Sequence, residues 1–121
     1  MKLATIENGT PDGALVVVSA DGSRHLPAAI ATLQAAIESW ETSEPALRAL
    51  AARLDAGEGD STDGLAFAAP LPRAWQWLDG SAFPQHGALM EKAFNLPPIE
   101  TERPLMYQGL SDRFLSGTQD A

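Results

Sequence analysis

The sequence predicts an α+β fold, in which a small N-terminal sheet packs with two helices and the start of a β-rich region follows. Three observations support this prediction. Strand-like segments with turn residues between them fill residues 2–26. Apolar residues then recur at steps of three and four over residues 30–54, which indicates amphipathic helices. Extended, proline-punctuated segments with scattered aromatic residues return from residue 65 onward.

The strand predictions rest on β-branched runs and on turn chemistry. Residues 2–6 and 24–26 are predicted to be short strands, and the apolar run at residues 14–19 is predicted to be a buried strand paired with the first. Two Asp-Gly turns separate the three segments. His25 lies beside the second turn and is interpreted as a surface residue without a chemical role.

Two helices follow the strands. The first is predicted from four apolar positions, Ile30, Leu33, Ile37 and Trp40. Ser43 is predicted to cap the N-terminus of the second helix, with Pro45 in its first turn. Gly57 follows the last apolar residue and is predicted to end that helix. Packing into a core is the favoured use of both apolar stripes, and binding of a partner is the alternative.

A polar segment at residues 58–64 divides the chain. It is rich in Gly, Asp, Ser and Thr, and its acidic residues lack the spacing of a calcium-binding EF-hand loop. We expect an N-terminal α+β domain over residues 1–64. Residues 65–121 are expected to form a linker and the truncated beginning of a second domain, which opens with a strand at residues 65–69.

Composition excludes several classes of function. The net charge of -8 argues against nucleic acid and anionic membranes as partners, because both select for basic surfaces. The apolar runs are too short to cross a membrane, and the N-terminus lacks the apolar core of a signal peptide. The chain has no cysteine, so disulfides and thiolate metal sites are excluded. A cytoplasmic location is the default expectation.

Residues 70–94 contain the candidate chemistry. Asp79 and His86 are seven residues apart, and a turn over residues 79–81 leading into a helix could aim both side chains into one space. A carboxylate beside an imidazole suits acid–base or metal chemistry. From spacing alone, the favoured reading is that Asp79 or Ser81 caps the helix and His86 lies on its surface.

The helix after this turn is predicted to carry Pro84 in its first turn, where no backbone donor is lost. Its apolar side chains are predicted to pack inward, at Phe83, Leu89, Met90 and Phe94. The two tryptophans before the turn alternate in an extended segment, for which packing is the favoured role.

Three regions of the chain carry a family resemblance: the N-terminal region, residues 71–86, and the region from Pro104 onward. Residues 71–77 read Leu-Pro-Arg-Ala-Trp-Gln-Trp, and Asp-Gly-Ser-Ala-Phe with His86 follows. Met-Lys-Leu-Ala opens the chain, Leu-Val-Val-Val-Ser stands at residues 15–19, and Pro-Leu-Met-Tyr-Gln-Gly begins at Pro104, with Ser111-Asp112 after it. In these residues the chain resembles the bacterial fumarylacetoacetate hydrolases. Members of that family are longer, so the resemblance implies that this chain corresponds to their first third.

The resemblance implies roles for three residues. Asp79 would be a ligand of a divalent metal, Mg²⁺ or Ca²⁺, and His86 would be the general base that activates water. Tyr107, in the sequence Tyr-Gln-Gly, would contact the oxygens of the substrate. The implied reaction is hydrolysis of a carbon–carbon bond in a 1,3-diketo acid, which yields fumarate and acetoacetate in aromatic amino acid catabolism. Glu102-Arg103 before Pro104, and Leu110 where a glycine is usual, depart from the family pattern and bear on substrate choice.

The resemblance also implies an incomplete site. The remaining metal ligands, a Glu-x-Glu pair and a further Asp, would lie beyond residue 121, as would the glutamate that orients the histidine. The chain alone is therefore expected to bind metal weakly or not at all and to be inactive. Its expected partners are the catalytic domain of the same protein, the diketo-acid substrate in the complete enzyme, and a second copy in a homodimer or other self-association.

Self-association is expected because four aromatic residues lack a covering sheet, namely Trp75, Trp77, Phe94 and Phe114. Two other classes of function remain open at this point. The chain could be a stand-alone, non-catalytic interaction or regulatory domain of the same family. It could also be an unrelated small α+β binding domain, which the ordered match at three stretches makes the weakest of the three readings.

Overall fold

The computed structural model describes residues 1–98, 103–109 and 113–118. The chain divides into two compact units, a first unit of Met1–Arg73 with Arg113–Ala121 and a second unit of Ala74–Asp112. The predicted α+β class is confirmed: the first unit contains a four-stranded sheet with two helices, and the second contains a two-stranded sheet and one helix. Glu102, Leu110 and the Ser111-Asp112 pair, which were cited for the family resemblance, lie outside the described residues.

The described elements follow in chain order. The first unit contains β1 (Lys2–Ile6), β2 (Ala14–Val18), β3 (Arg24–Pro27), α1 (Leu33–Glu38), α2 (Trp40–Asp55) and β4 (Asp60–Ser61). The second unit contains β5 (Leu78–Ser81), α3 (Pro84–Phe94) and β6 (Leu105–Gln108). The three N-terminal strands lie where the sequence predicts them, to within one residue at each end.

The sheet of the first unit is an antiparallel meander in the order β1-β2-β3-β4. Leu3 pairs with Val17 on one side, and Val17 pairs with Leu26 on the other, so β2 is a central strand. Leu15 and Val17 on β2 are buried, as expected for a β-branched apolar run inside a sheet. The prediction of a buried strand at this position is confirmed.

The core lies between the sheet and the two helices. Leu15 and Val17 of β2 cluster with Ala36 of α1 and with Leu47 and Leu54 of α2. Partly buried apolar residues surround this cluster, among them Leu3, Leu26, Leu33 and Leu50. The apolar stripe of α2 therefore serves the core, because burial of apolar area is the dominant favourable term in folding. Of the stripe predicted for the first helix, Ile30 and Leu33 pack against the core, whereas Ile37 and Trp40 are exposed.

Both helices begin at different residues from those predicted. Thr32 caps α1, because its Oγ1 accepts a hydrogen bond from the backbone N–H of Ala35 at 3.1 Å, so the helix starts at Leu33 and not near Ile30. The prediction that Ser43 caps the second helix is wrong. Ser43 lies inside α2 and is buried, and its N–H donates to the carbonyl of Ser39, which extends the helix by one earlier turn.

The end of α2 confirms the role predicted for Gly57. This glycine adopts φ 94°, a left-handed conformation that other residues rarely tolerate. Its N–H donates to the carbonyl of Leu54, and the N–H of Glu58 donates to the carbonyl of Arg53. These two bonds form a Schellman motif, which satisfies carbonyls that the helix end leaves open.

The segment after the sheet binds to the edge of β1 without forming a continuous strand. Phe67 makes an isolated bridge with Ile6, and the N–H of Ala68 donates to the carbonyl of Thr5 at 2.9 Å. The buried Thr5 hydroxyl donates to the carbonyl of Pro70 at 2.7 Å. The strand predicted at residues 65–69 is therefore reduced to one bridge, and the division of domains at residue 64 stays a prediction.

An ion pair fixes the end of this segment to the first turn. Arg73 donates from Nε and from an Nη to the two carboxylate oxygens of Asp12, at 2.8 and 2.6 Å. This is the bidentate geometry that makes arginine–carboxylate pairs specific. The hydrogen bond from Arg73 holds the pKa of Asp12 below its ordinary value and raises the pKa of Arg73.

The Asp12–Arg73 pair should make the stability of the folded chain depend on pH in the acidic range. Because the pKa of Asp12 is lower in the folded state, its stabilising contribution is present above the ordinary value of 3.8 and is lost as the pH falls through the folded-state pKa. We expect the Asp12→Asn variant to lack this contribution, so that its urea midpoint falls less between about pH 5 and pH 2. Asp63→Asn is the matched control. An unchanged acid dependence in Asp12→Asn would contradict the prediction.

Within the described residues, no helix combines the length and the apolar character that a membrane crossing demands.

Candidate functional site

The ribbon formed by β5 and β6 positions two of the three predicted site residues. The strands run antiparallel, with Asp79 directly opposite Tyr107 and Ser81 opposite Leu105. The turn predicted at residues 79–81 is therefore wrong, because these residues pair with a strand that lies far along the sequence. The caps predicted at Asp79 or Ser81 are wrong as well, since Phe83 occupies the N-cap position of α3.

Asp79 and Tyr107 lie directly opposite each other on the ribbon. Directly opposite residues on paired strands project from the same face, so the two side chains are neighbours. Hydrogen bonding to the Asp79 carboxylate, together with its charge, raises the pKa of Tyr107 above its usual value. The carboxylate is half-buried and the tyrosine is 57% exposed. The structure thus brings two predicted site residues into direct contact.

Trp77 packs against the ring of Tyr107. The N–H of Gly109 donates to the carbonyl of Trp77 at 3.0 Å, which continues the ladder beyond the ends of β5 and β6. The indole meets the Tyr107 ring edge-to-face, with centroids 5.7 Å apart and planes at 67°. A Cβ at Gly109 would lie 2.0 Å from the indole, so glycine leaves the space that Trp77 fills. The tryptophan therefore limits the positions open to the tyrosine ring.

His86 lies in the first turn of α3, where its side chain is exposed. It lines a groove of about 640 Å³ with Phe83 and Met90 from the same helix, and with Arg103 and Leu105 from the start of β6. Neither Asp79 nor Tyr107 is among the described residues that line this groove. The structure therefore joins the carboxylate to the tyrosine, and places the imidazole in a separate concave surface of the same unit.

Helix α3 begins with Pro84 in its first turn, as predicted, but it does not bury the four apolar side chains expected to pack inward. Their exposed fractions are 72% for Phe83, 66% for Leu89, 39% for Met90 and 63% for Phe94. The prediction of inward packing is wrong. Helical periodicity identifies an apolar stripe, but it does not say whether the same unit supplies a surface to cover it.

The described residues do not by themselves fit a Mg²⁺ or Ca²⁺ ion. Such a cation takes six or more oxygen ligands, several of them carboxylates. In the described part of the chain, no group of three or more His, Asp, Glu or Cys residues is placed to hold a metal. Asp79 offers one carboxylate, which already accepts a hydrogen bond from Tyr107. Any metal at Asp79 would need most of its ligands from elsewhere.

A second concave surface, of about 290 Å³, lies within the first unit. Glu7, Thr10 and Pro11 line one part of it, and Arg113 and Phe114 line another. No pattern in the sequence predicts this surface. Its residues come from opposite ends of the chain, and no local pattern reports that the segment after residue 112 returns to the first turn.

Comparison with known proteins places the first unit in a family. Residues 1–73 match the family described as fumarylacetoacetase N-terminal domain 2. The chain belongs to this family. The match spans the complete sheet and both helices of the fumarylacetoacetase N-terminal domain, and it confirms the resemblance found in the sequence. No curated protein matches the chain. Asp79, His86 and Tyr107 follow the matched residues, so their roles stay predictions.

Proposed function

We propose that this chain forms the N-terminal part of a metal-dependent hydrolase that cleaves a carbon–carbon bond in a 1,3-diketo acid, with fumarylacetoacetate as substrate. The observation that carries the proposal is the family match over residues 1–73. The second unit, directly after the match, adds support, because it contains an exposed imidazole in a groove and a carboxylate bonded to a tyrosine.

In the proposed reaction, His86 takes the proton from the attacking water. The exposed position of its side chain in the groove gives water and substrate access to the imidazole, whose ring nitrogen can accept a proton. The groove walls would hold the apolar part of the substrate beside it. The acidic chain as a whole does not attract anionic substrates, so binding depends on local groups.

The role proposed for Tyr107 is to contact a substrate oxygen. A phenol has one proton to donate, and the Asp79 carboxylate opposite it is a competing acceptor. Tyr107 would therefore donate to a keto oxygen in place of Asp79. Asp79 is proposed as one metal ligand.

The proposed site takes its remaining ligands from a catalytic domain, which is the principal partner in this proposal. Exposed apolar side chains of the second unit give such a partner, or a second copy of the chain, a surface to cover. The most exposed are Trp75 at 87% and Phe83 at 72%. We propose that the protein acts in the cytoplasm.

The test is hydrolysis of fumarylacetoacetate by the chain together with a catalytic domain of the family, at saturating Mg²⁺. Formation of fumarate and acetoacetate in equal amounts is the expected result. If the assembled protein binds the diketo acid without cleaving it, the proposed reaction is wrong.

A stand-alone interaction domain is the second candidate. It is favoured by the exposed apolar side chains of α3 and its N-cap, among them Leu89 and Phe83, which offer a partner a surface to cover. In that case the chain would bind a catalytic domain and alter its stability, and His86→Ala would leave the rate of hydrolysis unchanged.

A further inference from the structure

The groove in the second unit is lined by an arginine, Arg103, to which the proposed reaction assigns no role. Three segments form its walls: the end of the β5–β6 ribbon, the first turns of α3, and the residues just before β6. The described lining residues are Ser81, Ala82, Phe83, Pro84, His86, Gly87, Ala88, Met90, Glu91, Leu96, Arg103, Pro104 and Leu105. At about 640 Å³ the groove lies within the range of small-molecule sites.

Arg103 is the cation of this lining. Within the described part of the groove it is the sole lysine or arginine, and Glu91 on α3 is the sole carboxylate. Arg103 directly precedes Pro104, which restricts its backbone to extended conformations, and β6 begins one residue later. The backbone of Arg103 is therefore extended and lies next to the end of the β5–β6 ribbon where Ser81 pairs with Leu105.

The apolar walls offer a surface to the apolar part of a ligand. Phe83, Met90, Leu96 and Leu105 contribute to the lining and are exposed, so covering them with a ligand is favourable. A guanidinium has five donors in a planar fork, so it can receive a carboxylate while it keeps another contact. The lining thus suits a ligand with an apolar body and one anionic, planar end.

We infer that the groove binds a small molecule that ends in a carboxylate, and that Arg103 is the specificity-determining residue that receives this carboxylate. The inference rests on the proposed function for the statement that this ligand is the acid end of the substrate. The binding itself is independent of turnover, and so is its test.

The test compares a carboxylate with its neutral isostere. The 121-residue chain is titrated with 5-phenylpentanoate and with 5-phenylpentanamide, and binding is followed by shifts of the backbone amide signals of α3. We expect the carboxylate to bind more tightly than the amide. Arg103→Gln should weaken carboxylate binding by about tenfold and leave amide binding unchanged, because a hydrogen bond to a charged group is lost and exposure to solvent limits its strength.

Two further variants make the result specific. Arg103→Lys should retain part of the preference for the carboxylate, since it keeps the charge but loses the fork. Arg113→Gln makes the same change of net charge as Arg103→Gln, but in the first unit, and should have no effect.

Equal binding of acid and amide by the parent chain would overturn the inference, as would unchanged carboxylate binding in Arg103→Gln. Failure of both probes to bind would overturn it too. The proposed reaction can fail on its own: a chain that selects the carboxylate through Arg103 but never supports hydrolysis keeps the binding site and loses the reaction. Hydrolysis that is insensitive to Arg103→Gln would leave the reaction intact and overturn the residue assignment.

Discussion

Replacing His86 with alanine is expected to lower the turnover of the assembled enzyme by about 10²–10⁴-fold, the usual cost of losing a positioned general base. The imidazole lies exposed in the groove, so its removal should leave the fold intact. Metal occupancy should change little, because this side chain is proposed to act on water. Gln85→Ala is the matched control, since it truncates the preceding exposed residue of the same helix.

The corresponding change at Asp79 should act by another route. Asp79→Ala removes the proposed metal ligand and the acceptor of the Tyr107 hydrogen bond, so activity should fall together with the affinity for Mg²⁺. Calorimetric titration of the assembled enzyme with Mg²⁺ separates the two variants. Full activity in His86→Ala, or unchanged metal affinity in Asp79→Ala, would show that the roles are assigned to the wrong residues.

The second large effect concerns stability. Leu47 of α2 is 1% exposed and belongs to the core cluster with Leu15 and Val17. Leu47→Ala should reduce the free energy of unfolding by about 2–5 kcal/mol, because it removes buried methyl groups and leaves a cavity between helix and sheet. For a small domain, this is a large part of the total stability.

The control for the core variant is Leu89→Ala. Leu89 of α3 is 66% exposed, so the same substitution should change the free energy of unfolding by no more than about 0.5 kcal/mol. Urea unfolding of both variants, followed by far-ultraviolet circular dichroism, makes the comparison. A Leu89→Ala variant as destabilised as Leu47→Ala would mean that the exposed face of α3 is covered in solution.

The first unit could be predicted from the sequence because its signals are local. The strand ends follow β-branched runs and turns, and Gly57 ends α2 with the left-handed conformation that its type allows. The helix starts failed where more than one hydroxyl residue could act as a cap. Thr32 and Ser43 have the same capping chemistry, and only the observed hydrogen bonds distinguish them.

The second unit was harder to predict because its contacts are distant in sequence. Asp79-Gly80-Ser81 has the composition of a turn, yet it forms a strand because residues 105–108 pair with it. The hydrogen bond between Asp79 and Tyr107 depends on this register and leaves no periodic pattern. Family resemblance selected Asp79, His86 and Tyr107, but it did not reveal that two of them bond to each other.

The groove around His86 could not be read from the sequence either. Its walls join α3 to the residues before β6, and no local pattern predicts that Arg103 lines it. Apolar periodicity predicted that Phe83 and Met90 would be buried, whereas both line the groove and are exposed. The error has a physical reason: a helix face becomes core only when another surface covers it.

In the proposed function, this chain supplies part of a hydrolase site and depends on a catalytic domain for the rest. The most direct measurement is the rate of fumarylacetoacetate hydrolysis at saturating Mg²⁺ for the 121-residue chain alone and for the chain assembled with a catalytic domain of the family. We expect no turnover from the chain alone, because Asp79 is its single proposed metal ligand, and turnover that is sensitive to His86→Ala in the assembly. Hydrolysis by the chain alone would contradict the account.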